Sequence, residues 1–381
     1  MLTNGFRPFF LAAGLWAAVA LLIWLGVLAG GLDVPTRFDP TAWHVHEMLF
    51  GFVPAAVAGF LLTAVPNWTG RLPVAGVPLA GVVLLWLAGR IACLVSAWLP
   101  PWLAVGVDLA FPVAFAAVMA RELVIARNRR NLMLLLPMTV LILGSLLMHL
   151  ESLGVVVPEG LGWRLGLAMV VVLISVIGGR VVPSFTRNWL NRQGAVRLPG
   201  AHGAVDRAAL ASLHTAMLAW AVLPDQPAVG VLLLAASGLN LWRLARWRGT
   251  AAWTEPLLAV LHLGYAWMVA GTALLGLSLL TVEVPMSGAV HALTLGAGGT
   301  VILAVMTCAT LGHAGRALQA GPTTVAIYGL ITAATLARLA GAWAGGLPLL
   351  VAAGLLWSAA FLLFAAVYGP MLLVPRRRPA H

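Results

Sequence analysis

Lysine is absent from this 381-residue chain, and charge of any kind is scarce. Only 9% of the residues are charged, with 22 basic positions, all of them Arg, against 11 acidic ones. Cysteine occurs twice, at Cys93 and Cys308, each inside an apolar run. That excludes a disulfide framework and any Cys–His zinc spacing. No Walker loop, GxGxxG fingerprint, HExxH or Ser-His-Asp arrangement is present, which leaves cofactor chemistry or transport rather than side-chain nucleophilic catalysis. The net charge of +11 invites a nucleic-acid partner. The Arg residues instead gather in particular loops, as a positive-inside bias requires, so no nucleic acid is expected.

What remains is apolar. Hydrophobic residues make up 62% of the chain, and runs of roughly 20 of them recur from end to end, the length a helix needs to cross hydrocarbon. The expectation is an all-α polytopic membrane protein of twelve transmembrane helices, in one integral membrane domain covering residues 1–381. The spans read as 8–30, 44–65, 76–98, 102–125, 132–150, 162–184, 207–223, 227–245, 255–280, 286–310, 322–344 and 347–373, separated by Pro and Gly. The first run exceeds the ~7–15 residues of a signal h-region, so it reads as a retained helix. One side of the bundle carries nearly all the loop Arg, including Arg376, Arg377 and Arg378. The other carries Arg37 and Arg164 with most of the loop acids. Both termini are therefore expected in the cytoplasm.

A weak threefold repeat runs through this pattern. Arg7-Pro8-Phe9-Phe10 resembles Glu255-Pro256-Leu257-Leu258, with Asn131-Leu132 midway. Ala64-Val65-Pro66-Asn67-Trp68-Thr69 resembles Val181-Val182-Pro183-Ser184-Phe185-Thr186. Units of four helices at 7–130, 131–254 and 255–373 are implied, and sites in membrane folds often lie between such repeats.

Ionisable groups at membrane depth are costly unless paired, ligated or wetted, so each is a site candidate. Trp43-His44-Val45-His46-Glu47-Met48 opens the second span. With a rise of ~1.5 Å per residue, His44, His46 and Glu47 share an outer layer with His149 and with His291, the last roughly 8 Å deeper. His44 and His46 are two apart and point to nearly opposite sides of a helix, whereas His44 and Glu47 share a face. His46 is thus the inward ligand, opposite His149 or His291. His44 can serve a second centre or bond Glu47, and Glu47 is a possible proton relay. Imidazole suits both haem iron and copper. Met148 and Met286 would add soft ligands for Cu(I). A thinner inner layer holds His214 and His262, which can face each other. Arg90 and Arg338 are also intramembrane, able to pair with a haem propionate or to snorkel. His313, at the end of the tenth span, lies at the depth of Asn67, Trp68, Arg187 and Asn188. His202 and His381 read as loop and tail.

The motifs Phe6-Arg7-Pro8-Phe9-Phe10, Trp43 to Phe52, Gly59 to Arg71, Gly179 to Leu190, His291 to Gly299 and Gly312 to Arg316 together resemble the NnrS family. The likeness runs from Phe6 to Arg316. It implies a twelve-helix bacterial inner-membrane protein that contains haem and copper, is expressed with denitrification or nitric oxide stress, and relieves that stress. Motif positions are His44, His46, Glu47, Asn67, Trp68, Arg180, Arg187, Asn188, His291 and His313; Arg180 joins Arg338 as a candidate cofactor contact. The architecture also resembles, more loosely, the catalytic subunit of haem–copper oxidases.

The function so expected is binding or reduction of nitric oxide at a His-ligated centre near the periplasmic face. His46, His149 and His291 would hold haem, and the same histidines or His44 would hold copper. The gas would arrive through the lipid bilayer. Turnover and the electron donor stay open. The alternative is a secondary transporter of a metal complex, haem or nitrosylated species.

Overall fold

A computed structural model describes residues 1–374. The Arg376–Arg378 run and His381 lie outside the described residues. Every regular element within them is helical. Twelve long helices follow the order expected from the apolar runs: α1 Phe6–Leu28, α2 Pro40–Thr69, α3 Gly76–Leu94, α4 Pro101–Ile125, α5 Arg129–Ser152, α6 Leu161–Arg192, α7 Ala204–Val222, α8 Pro227–Ala245, α9 Pro256–Ser278, α10 Met286–His313, α11 Pro322–Ala344 and α12 Leu347–Leu373. Among the described residues eleven of these are long and apolar enough to cross a membrane. The one that falls short is α7, where Asp206, Arg207 and His214 lower the hydropathy of an otherwise apolar helix. The protein is a polytopic membrane protein.

The contacts divide the chain into two compact units. Unit 1 comprises Met1–Met169, Met306–Ala317 and the described residues from Phe361. Unit 2 comprises Val170–Val305 and Leu318–Ala360. In unit 1, α1 packs on α2, α3 on α4, and α4 on both α2 and α5. In unit 2, α7 packs on α8, α8 on α9, and α9 and α11 on α10.

Local chemistry sets the start of α2, the helix that carries the histidine motif. The Asp39 carboxylate accepts from the backbone N–H groups of Thr41 and Ala42, each at 2.9 Å, and Pro40 occupies the first turn. The helix ends at Gly70, whose φ of 70° is left-handed and suits glycine. Between these ends α2 widens to a π-helical turn over Glu47–Phe52. The same widening recurs in α6 at Ile174–Gly178 and in α10 at Ala292–Gly299. Insertions of this kind gather at functional sites.

Several of the quoted motifs hold helix ends together. Arg7 donates from Nη1 to the carbonyls of Met371 (2.9 Å) and Leu372 (3.2 Å), capping the end of α12. His313 lies against the ring of Phe6, with centroids 5.3 Å apart.

Candidate metal centre

Four helices of unit 1 converge on one buried carboxylate. Asp108, on α4, is 2% exposed. Its Oδ1 accepts from Nη2 of Arg90 on α3. Its Oδ2 lies 3.3 Å from Nε2 of His46 on α2, 3.1 Å from Nε2 of His149 on α5, and 3.0 Å from the donating hydroxyl of Ser145, also on α5. Ser145 Oγ is in turn 3.1 Å from His46 Nε2. Cys93, one turn beyond Arg90, brings its thiol to the same place. His46, Cys93, Asp108 and His149 each offer a ligand atom, these atoms lie within 4.8 Å of one another, and all four residues are buried. Phe38 covers both imidazoles, with centroids 4.9 Å from His46 and 5.0 Å from His149.

Glycines permit this convergence. A Cβ at Gly89 would meet the Asp108 Cα at 3.2 Å, so glycine there favours the close approach of α3 and α4 that joins Arg90 to Asp108. A Cβ at Gly51 would lie 2.5 Å from Arg90 Nη1 and 2.8 Å from Glu47 Oε2.

Glu47 supports the cluster from behind. Its Oε2 accepts from Arg90 Nη1 (2.6 Å) and from the Trp16 indole (2.8 Å), and its Oε1 meets His46 Nδ1 at 3.2 Å. A carboxylate on Nδ1 orients the imidazole and, with a metal bound, would leave Nε2 as the ligand nitrogen. Here Nε2 points at Asp108 and Ser145. Both Glu47 oxygens are therefore committed to holding neighbours. Two carboxylates against one guanidinium leave one negative charge uncompensated in a buried site. A cation, or a proton on an imidazole, would neutralise it.

The donor set is two imidazoles, a thiol and a carboxylate. Mixed nitrogen and sulfur donors suit copper or zinc. They do not suit haem here. The His46 and His149 rings sit edge to face at 67° with centroids 5.0 Å apart, and both Nε2 atoms reach the same carboxylate oxygen. No planar slot separates them for a macrocycle.

The other sequence candidates lie elsewhere. His44 points away from the cluster and stacks on Trp24, centroids 4.4 Å apart. His291 belongs to unit 2, where its Nδ1 donates to the Ser287 carbonyl at 2.7 Å, leaving Nε2 as the basic nitrogen. Met286 receives the Ser278 hydroxyl on its sulfur at 3.7 Å. His214 and His262 do not face each other: His214 Nε2 pairs with Ser175 Oγ (2.8 Å) and His262 Nε2 with Thr186 Oγ1 (2.9 Å), hydroxyls separated along α6 by roughly 16 Å of helix rise. Arg338 is half-buried on α11, and Arg180 is at the surface of α6.

Unit 2 has its own buried ion pair. Arg243 donates from Nε to Asp206 (3.0 Å) and from Nη1 to Tyr265 Oη (2.8 Å) and the Ser175 carbonyl (3.1 Å). Tyr265 Oη donates a hydrogen bond to Asn240 Oδ1 at 2.7 Å. The network is closed and offers no open ligand position, so it reads as a lock on α6, α7, α8 and α9.

Reasoning from histidine depth reaches His46 and His149 but misses Asp108, Ser145 and the thiol of Cys93. The signal for Asp108 is the one that marks the histidines, a lone ionisable side chain inside an apolar helix.

A family model described as NnrS protein matches residues 1–376. No match is found among curated proteins.

Proposed function

The chain belongs to the NnrS family, and on that footing we propose that it relieves nitrosative stress by binding nitric oxide at a single copper ion held by His46, Cys93, Asp108 and His149. The observation that carries this is the meeting of two imidazoles and a thiol on one buried carboxylate. Charge supports it. A monovalent ion with a neutral thiol, or a divalent ion with a thiolate, would cancel the single excess negative charge, and a near-neutral cluster is the one a low-dielectric interior tolerates.

Copper, when bound, would supply a coordination position for the gas and a one-electron couple. The side chains do the rest. Glu47 orients His46 through Nδ1 and anchors Arg90. Arg90 holds the Asp108 carboxylate by its second oxygen, so that Oδ2 faces the imidazoles. Phe38 keeps water off both rings. Reduction of the gas would add an electron donor, whereas binding needs only this cluster and its supports. Haem enters no step. Membership of the family implies the bacterial inner membrane, and the Arg distribution favours both termini cytoplasmic and the cluster toward the periplasmic side.

The test is metal analysis of the purified protein with its visible and paramagnetic spectra, before and after nitric oxide. Stoichiometric copper with a spectrum altered by the gas supports the proposal. A metal-free protein that moves a solute in proteoliposomes supports the transporter reading instead.

A further inference from the structure

Beside the cluster, α2, α4 and α5 enclose a small cavity. We propose that it is a built-in binding site for one uncharged diatomic gas molecule, filled from the bilayer, from which the metal centre is supplied. This rests on the reading of the cluster as a metal centre.

The walls are apolar: Phe50 and Val57 from α2, Phe115 from α4, Met138 and Leu141 from α5. Among the described residues, its polar lining is Asp108, one of the four cluster residues, and Ser145, which donates to Asp108. The cavity therefore borders the cluster at Asp108 and is lined by apolar side chains over the rest of its surface. Its volume is about 20 Å³. One water needs roughly 10–15 Å³ on the same measure, so the space holds a single molecule of two or so heavy atoms.

Water has little to gain there. An ordered water needs two to four polar partners. Asp108 Oδ1 is taken by Arg90, its Oδ2 by Ser145, His46 and His149, and the Ser145 hydroxyl is donated to Asp108. Apolar cavities of this kind stay dry and take up apolar gases. Anions and larger polar substrates are refused by desolvation and by size.

The gap is written into the sequence. Pro54 on α2 and Pro112 on α4 both line it. Each lacks an N–H, and each ring pushes on the carbonyl four residues earlier. Those carbonyls belong to Phe50, a wall of the cavity, and to Asp108, its floor. Two prolines facing one space keep the backbones from closing over it. Val57 and Pro112 are only half-buried, so this side of the cavity approaches the surface of a helix bundle whose solvent is lipid. An apolar gas concentrates in hydrocarbon and would enter there without a polar channel.

Two measurements test this. The first is a structure of the full-length protein under xenon pressure, in which one xenon should sit against Phe115 and Leu141. Xenon elsewhere and none at this position would overturn the proposal. The second is the rate of nitric oxide association with the copper-loaded protein after Val57→Phe, which narrows the outward side. The expected slowing is roughly tenfold, about 1.4 kcal/mol on the barrier, with copper content unchanged. An unchanged rate in the loaded variant would also overturn the proposal. If Val57→Phe does not fold, the xenon result on the unaltered protein decides alone. If the unaltered protein holds no metal, the metal reading fails, while the xenon position still decides whether the cavity is a gas site.

Discussion

Glu47 Oε1 lies 3.2 Å from Nδ1 of His46, its neighbour in the chain. Consecutive residues on a regular helix point about 100° apart, and here the helix widens to a π-turn that starts at Glu47. The pair turns one imidazole into an oriented ligand. Glu47→Gln keeps the size but drops the charge. It should weaken copper affinity by roughly 10–100-fold, the usual effect of removing an outer partner of a metal-bound histidine. Competition titration with a copper chelator reads this directly, and unchanged affinity would deny Glu47 its positioning role.

Arg90 is buried between two carboxylates, and removing one partner of a buried pair leaves an uncompensated charge. Arg90→Met should cost about 3–5 kcal/mol of stability. Lower thermal stability in detergent and loss of metal should appear together. A variant that melts normally would show the pair to be dispensable.

Acid should strip the centre. Ligands must be deprotonated to bind, so protons and copper compete for the His46 and His149 nitrogens. Falling pH favours the proton and rising pH the metal. Dialysis across a series of buffers from acid to neutral should show copper retention increasing with pH. Equal retention throughout would point to a site without imidazole ligands.

The unit 2 network should separate from the metal. A Cβ at Gly179 would run into the Arg243 guanidinium, so Gly179→Ala should destabilise the protein by overpacking, about 1–3 kcal/mol. Copper per folded chain should be unaltered. His214→Ala and His262→Ala should likewise retain copper. Its loss in either would bring the inner histidine layer back into the site.

Much of this was legible before any coordinates. The apolar runs give the helices because hydrocarbon thickness sets their length. The outer-layer reading brings His46 and His149 to one depth, and they do meet. Depth alone does not say which face a residue occupies or which unit it joins, and so His44 and His291 share the layer on paper while His44 stacks on Trp24 and His291 bonds Ser287. Asp108, a lone carboxylate within α4, carries the same energetic signature as the histidines but sits in no motif that marks it as a ligand. Cys93 has no metal-ligand spacing in the sequence, and its one-turn spacing from Arg90 means nothing until Asp108 is placed beside it. The threefold repeat we propose on the π-turns of α2, α6 and α10, which fall in the spans that the repeat would make equivalent.

The most direct measurement is X-ray absorption at the copper edge of the purified protein, compared with Cys93→Ser and Asp108→Asn. The expected result is a nitrogen shell from two imidazoles with one sulfur at about 2.3 Å, as for a metal thiolate. The sulfur should vanish in Cys93→Ser, and copper should fall sharply in Asp108→Asn. Full copper with an unchanged spectrum in both variants would contradict a centre built on this cluster.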